Sequence, residues 1–257
     1  MANNSMFLYG KNSVLERLRA DASSVQKIFI QDDFDFARIV KLVRKTSVPV
    51  ERLSARELSK IRRTGNLQGI AARVSMFKYT PFKDLLDRKG GDRPTIIFLD
   101  RIFDPQNLGS IIRTAACFGG FAVVLPKHNA CDVNETVLHV ASGGENHTPV
   151  SMVSNLTNAV LRAKDRGYWI MGAFVSDEAK RLCDIDLPFP LGLVLGSEGE
   201  GIREGLKKYV DLEARLPMDG ARLSLNVAVA CAIFCSDISK VRGQKRSGGT
   251  NEAQIQT

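Results

Sequence analysis

The sequence predicts an α/β protein: a parallel sheet covered by helices on both faces, preceded by a smaller α/β module. Three observations carry this reading. From Thr95 onward, short apolar strands alternate with helical patterns. Strands such as TIIFL (Thr95–Leu99) and LGLVLG (Leu191–Gly196) lack period-two alternation, as strands buried on both faces do. Charge also divides the chain, since residues 1–75 carry 14 basic and 7 acidic side chains whereas residues 93–239 carry 14 and 17.

Residues 1–75 read as helix and strand in alternation. Val14, Leu15 and Leu18 share one side of a helix over Ser13–Ala20, with Ser13 as N-cap and Glu16 completing a capping box. VQKIFIQ (Val25–Gln31) reads as a strand. Phe36–Thr46 is an amphipathic helix with Ile39, Val40, Leu42 and Val43 inward and Arg38, Lys41, Arg44 and Lys45 outward. A short strand, VPVERL, precedes a third helix at Ala55–Thr64, which stops before Gly65, and QGIAARVS closes the unit. Residues 76–92 read as a linker, because the Gly-Gly pair and Pro94 discourage regular structure.

The body, residues 93–242, carries strands at TIIFLD, FAVVLP (Phe121–Pro126), PVSMV (Pro149–Val153), YWIMGAFV (Tyr168–Val175), LGLVLG and LEARLPM (Leu212–Met218). Helices fall between them at LGSIIRTAACF, ETVLHVA, LTNAVLRAKDRG and REGLKKYV, and a long one follows over Ser224–Arg242. A ligand of such a sheet sits at the carboxyl ends of its strands. Residues 243–257 are almost without apolar side chains and read as a disordered tail.

Composition narrows the function. Of 257 residues, 44% are hydrophobic and 25% charged, which excludes bulk disorder. No apolar run approaches the roughly 20 residues of a membrane span, and the N-terminus shows no signal pattern. Five cysteines without a CxxC pair argue against a disulfide scaffold or zinc site and for a reducing cytoplasm. The three histidines, His128, His139 and His147, pair with no Cys or carboxylate at ligand spacing, so no metal is implied. The net charge of +8, concentrated in front, suggests that the first module meets a polyanion.

Three segments depart from ordinary connections. In LDRIFDPQNLGSIIRTAACFGG (Leu99–Gly120), Asn107 stands where a helix N-cap is expected and Arg113 interrupts an apolar helix. Taken alone, these are a cap and a solvated residue. In LGLVLGSEGEGI (Leu191–Ile202), Gly196, Gly199 and Gly201 bracket Glu198 directly after a strand. Such a loop bends sharply and offers backbone N–H groups, but it is neither GxGxxG nor a P-loop. In RLPMDGARLSLNVAVACAIF (Arg215–Phe234), Ser224 reads as the cap of the last helix, which leaves Asn226 unexplained.

Together, FDPQNLGSIIRTAACFG, LVLGSEGEGI and LPMDGARLSLNVAVACAIF resemble, in order and spacing, the motifs of SpoU/TrmH RNA ribose 2′-O-methyltransferases. SGGENHTPV (Ser142–Val150) resembles a further element between the first two motifs. Residues 5–75, from LYGKNSVLERL, more loosely resemble the L30e-like RNA-binding domain that precedes many rRNA-directed members. The resemblance implies a deep trefoil knot, S-adenosylmethionine (SAM) as methyl donor, RNA as substrate and a homodimer with active sites at the subunit interface. It implies a SAM site from Ala173, Gly196, Ser197, Gly199, Leu216, Met218 and Leu225. It also implies an acceptor site from Arg113, Asn107, Glu198, Ser224 and Asn226.

In the family Arg113 is the proposed base. Guanidinium is an acid with a pKa above about 12, so Arg113 could instead hold a phosphate and stabilise a developing alkoxide. Glu198 could orient Arg113 or cap its loop. The front module favours a guanosine of 23S rRNA as substrate. A tRNA ribose methyltransferase, an antibiotic-resistance rRNA methyltransferase and a silent RNA-binding protein of the same fold are the alternatives.

Overall fold

The computed structural model describes residues 5–33, 42–43, 45–61, 67–87, 94–221 and 223–252, the last nine by their backbone. Its first sheet has four strands, β1 (Ser5–Tyr9), β2 (Val25–Gln31), β3 (Val50–Leu53) and β4 (Ile70–Ser75), in the order β1-β4-β2-β3. β4 runs antiparallel to both neighbours, and β3 parallel to β2. Helices α1 (Lys11–Asp21) and α2 (Ala55–Ile61) complete the module. The helix expected at Phe36–Thr46 lies mostly outside the described residues, although Leu42 and Val43 are helical and pack on the core.

The start of α1 corrects the sequence reading. The helix begins at Lys11, two residues before the expected cap, and Ser13 is buried within it. Gly10, with φ 93°, turns the chain straight from β1 into α1, a conformation that glycine adopts without strain. Glu16 builds no capping box; it contacts Arg19 and His147.

The expected linker is also partly ordered. Phe82–Leu86 forms α3, whose Phe82, Leu85 and Leu86 are buried against Ile96, Phe98 and Tyr168. Upstream, Val133 N donates to Tyr79 Oη at 2.8 Å and Thr80 N to the Val150 carbonyl at 2.8 Å.

The body is built on seven strands: β5 (Thr95–Leu99), β6 (Phe121–Pro126), β7 (Val150–Val153), β8 (Trp169–Ala173), β9 (Lys180–Arg181), β10 (Leu191–Leu195) and β11 (Leu212–Arg215). Their order is β7-β6-β5-β10-β8-β11-β9, and every pairing is parallel. β9 carries only two exposed polar residues, so no apolar run announced it. The helices are α4 (Pro105–Phe118), α5 (Glu135–Ala141), α6 (Leu156–Lys164), α7 (Glu204–Lys207) and α8 (Val227–Glu252). Alternate residues of β5 serve opposite faces. Ile97 and Leu99 join the core under α4, α5 and α8, and Ile96 and Phe98 join the core under α3, α6 and α7. Period-two patterning is invisible in sequence because both faces are apolar.

Two caps differ from expectation. α4 is capped by Asp104, whose side chain accepts from Gln106 N at 2.8 Å, with Pro105 in the first turn. This places Asn107 inside the helix. α8 is capped by Asn226, which accepts from Ala228 N at 2.9 Å, and Ser224 lies outside it. The backbone of α8 stays helical through Glu252, where the sequence predicts disorder from residue 243. Extending an existing helix needs no new nucleus.

Module and body share one core. Leu8, Val14 and Leu15 cluster with Val137, Leu138 and Ala141 of α5. Across this seam His139 Nδ1 meets the Tyr9 carbonyl at 3.1 Å and its ring stacks on Tyr9 at 4.1 Å. Arg17 pairs with the fully buried Glu145 at 3.1 Å. Gly143 has φ 96°, and a side chain there would collide with Glu16.

Candidate active site

The loop after β10 is tightly folded. Gly201 N donates to the Ser197 carbonyl at 2.9 Å, and a Cβ at Gly196 would collide with the backbone of Gly201. The end of β5 clamps it from beside. Asp100, fully buried, accepts from Arg203 N at 2.9 Å and lies 2.7 Å from Arg203 Nε. Arg101 (φ 62°) pairs with Glu200 and donates to the Gly201 carbonyl at 3.4 Å. The clamp fixes the loop by a buried carboxylate and a planar fork.

Against this loop lies a cavity of about 340 Å3. All seven residues expected to hold the methyl donor line it: Ala173, Gly196, Ser197, Gly199, Leu216, Met218 and Leu225. Glu198 and Ser224 line it as well, and Ser224 makes no hydrogen bond among the described residues. Sequence reasoning missed Phe174 and Val175, though the carboxyl-end rule pointed to the residues after β8. It also missed Val227, Ala230 and Phe234, whose spacing of three and four puts them on one face of α8.

A second cavity, of about 470 Å3, adjoins the first and shares Ser197, Glu198, Gly199, Glu200 and Val227 with it. Its other wall comes from Arg101, Ile102, Phe103, Asp104 and Asn107. Glu198 is the common partner. Its Oε1 accepts from Asn226 Nδ2 at 2.7 Å, Asn107 Nδ2 at 3.2 Å and Val227 N at 3.5 Å. Asn226 Nδ2 also donates to Asn107 Oδ1 at 2.9 Å. Glu198 thus ties its loop to α4 and to the start of α8; among the described residues it makes no bond to Arg113.

Arg113 is the expected residue that the structure leaves apart. It is exposed on α4, lines neither cavity and has no hydrogen-bond or ionic partner among the described residues. Six residues from Asn107, it stands about 9 Å further along the helix axis. Its backbone packs on Gly144, where a Cβ would lie 2.9 Å from Arg113 Cα.

The perturbed titrations lie elsewhere. Burial, with Asp132 and Asp104 adding to it, pushes the Cys131 thiol up to about 11, and burial pushes the Tyr79 phenol up to about 12. Cys231 and Cys235 are buried with their sulfurs 3.8 Å apart, and their contact together with burial raises Cys231 well above the thiol range. No helix among the described residues is long and apolar enough to cross a membrane.

Comparison with known proteins places these features. The family model described as SpoU rRNA Methylase matches residues 94–236, and that described as RNA 2′-O ribose methyltransferase substrate binding matches residues 7–80. A Synechocystis protein described as the uncharacterized tRNA/rRNA methyltransferase slr0955 is 36% identical over 245 residues, which is 93% of this chain and 63% of that one. The 23S rRNA (guanosine-2′-O-)-methyltransferase RlmB of Nitrosomonas europaea is 32% identical over 253 residues, covering 96% of each. A structure of an AdoMet-bound rRNA methyltransferase from Sinorhizobium meliloti superposes with a TM-score of 0.76 at 22% identity, covering 92% of this chain and 87% of that one. A paired-cavity site at the carboxyl ends of a parallel sheet, on a chain matched over both of its modules, assigns this protein to the SpoU rRNA methylase family of SAM-dependent RNA 2′-O-methyltransferases.

Proposed function

We propose that this protein methylates the 2′-hydroxyl of a guanosine in 23S rRNA, with SAM in the 340 Å3 cavity and the acceptor ribose at its border with the second cavity. The observation that carries the reading is the shared wall. Glu198 and its loop face both cavities, so a donor in one and an acceptor entering from the other meet along the edge of a wall held by a hydrogen-bonded hub. Such fixed placement is a large part of catalysis between two bound partners.

The first cavity fits SAM. Leu195, Leu216, Met218, Leu225 and Val227 offer apolar walls to an adenosyl group, and the folded loop brings backbone polar groups to its edge. Met218 and Leu225 keep over a third of their surface open around the cavity. When bound, SAM supplies an electrophilic methyl group on a sulfonium, which departs as a neutral thioether.

The chain's own residues orient and stabilise. Asn107, Glu198 and Asn226 lock α4, the loop and α8 together. The free Ser224 hydroxyl on the cavity wall is available to a ligand. Arg113 acts as a fixed positive charge that binds the neighbouring phosphate and lowers the cost of charge developing at O2′. The hydroxyl proton passes to water.

A second copy completes this arrangement. Arg113 and Phe118 on α4, and Val229 and Ile233 on α8, are exposed on two adjacent helices. Covering them with a homodimer partner buries the apolar side chains and brings Arg113 to the subunit interface. The trefoil threading is part of the same proposal. β11 lies on the far side of β8 from β5, yet α8, which follows it, packs on α4. The basic front module supplies phosphate contacts, and rRNA as substrate places the work in the cytoplasm.

The test is transfer itself. Incubating the protein with total RNA and methyl-labelled SAM, then mapping alkali-resistant linkages, is expected to give one modified nucleotide in 23S rRNA. Labelling of tRNA alone would overturn the substrate, and no SAM binding by calorimetry would overturn the activity.

A further inference from the structure

We infer that Phe103 is a stacking platform for the base of the acceptor nucleotide. This rests on the proposed reaction and adds a contact that the motifs do not announce. Phe103 sits between β5 and the Asp104 cap of α4, and 62% of its surface is exposed. Its neighbour Ile102 also lines the second cavity but is buried in the core, so Phe103 is the apolar side chain of this segment left exposed there.

Position and charge identify the occupant. Phe103 lines the cavity that also contains Asn107 and Glu198, across the loop from the proposed donor site. A nucleotide whose O2′ reaches that border has its base or its phosphate in this cavity. The walls carry the carboxylates of Asp104, Glu198 and Glu200. Among the described residues of the lining, the one cation is Arg101, which is engaged by Glu200 and the Gly201 carbonyl. Such a rim repels a phosphate and tolerates a base, whose amino and imino groups are donors. Unstacked RNA bases are commonly received on the faces of aromatic side chains. An exposed phenyl ring over an acidic pocket next to the methyl-transfer point matches that pattern.

The experiment compares Phe103→Ala, Phe103→Leu and Phe103→Trp in the full-length protein, with 23S rRNA transcript and labelled SAM. Loss of a base–aromatic stack is expected to lower kcat/KM for RNA about 10- to 100-fold in Phe103→Ala. Phe103→Leu keeps the apolar bulk without a π face and is expected to behave like Phe103→Ala. Phe103→Trp is expected to stay near wild type. SAM affinity by calorimetry is expected to be unchanged throughout, which also reports folding. Wild-type kcat/KM in Phe103→Ala, or full activity in Phe103→Leu, would overturn the stacking role. An altered sedimentation coefficient with unchanged kcat/KM would overturn it in favour of a subunit contact. A wild-type protein that methylates no RNA would instead defeat the reaction on which the inference rests.

Discussion

Asn226 Nδ2 stands 2.7 Å from Glu198 Oε1 while Asn226 Oδ1 caps α8 through Ala228 N at 2.9 Å. One amide therefore fixes both the start of the last helix and the loop that separates the two cavities. Glu198→Ala removes the acceptor shared by Asn107, Asn226 and Val227. It is expected to reduce kcat at least 100-fold and to weaken SAM binding, because the loop loses its anchor. Glu198→Gln keeps an acceptor oxygen and is expected to retain more of both. Calorimetry and single-turnover transfer distinguish the two variants.

Arg113→Ala is expected to abolish methyl transfer and leave SAM affinity nearly unchanged, since Arg113 touches neither cavity of its own chain. Arg113→Lys retains charge without the planar fork, and partial activity in that variant supports a point-charge role. A fixed charge predicts no rise in rate from guanidinium deprotonation as pH increases above 8. A rate that keeps climbing in the wild type but levels in Arg113→Lys identifies Arg113 as a base.

Arg17→Ala leaves the Glu145 carboxylate buried without its cation. The expected destabilisation at pH 7 is about 3 kcal/mol by urea denaturation. Burial already raises the Glu145 pKa above its usual value. Its protonated form is therefore favoured by folding: the stability gained is full below the unfolded pKa and is lost as pH rises through the folded pKa. Removing Arg17 raises the folded pKa further. The gap between mutant and wild type is expected to be wide at pH 7 and narrow near pH 4.

Arg56 and Lys60 are exposed on α2 of the basic module. Replacing both with Ala is expected to reduce the slope of log Kobs against log salt by about 1.4 to 1.8 for RNA binding. SAM affinity and the unfolding midpoint are expected to hold. An unchanged slope would place the RNA on another face.

Much of the architecture was legible because apolar runs are local signals. β2, β6 and α5 fall where the residues placed them. The caps were harder to place, since Asp104, Asn107, Ser224 and Asn226 are all competent capping residues within a few positions. Only the packed geometry shows that Asp104 and Asn226 are used. α3 was hidden by its polar, glycine-rich surroundings, although Phe82, Leu85 and Leu86 follow helical spacing. Motif resemblance named seven residues that line the first cavity. It did not name Phe103 or the clamp at Asp100 and Arg101, because their significance depends on the distant loop at 196–203.

The seam at Tyr9 and His139, with Arg17 on Glu145 beside it, bears on how the proposed reaction would choose its nucleotide. A module joined through a continuous core does not swing on a tether, so the span from its basic surface to the methyl-transfer point is constant. RNA gripped by that surface presents only nucleotides lying at the corresponding reach. Under the proposed function, loosening the seam is expected to spread methylation to neighbouring riboses before it stops it.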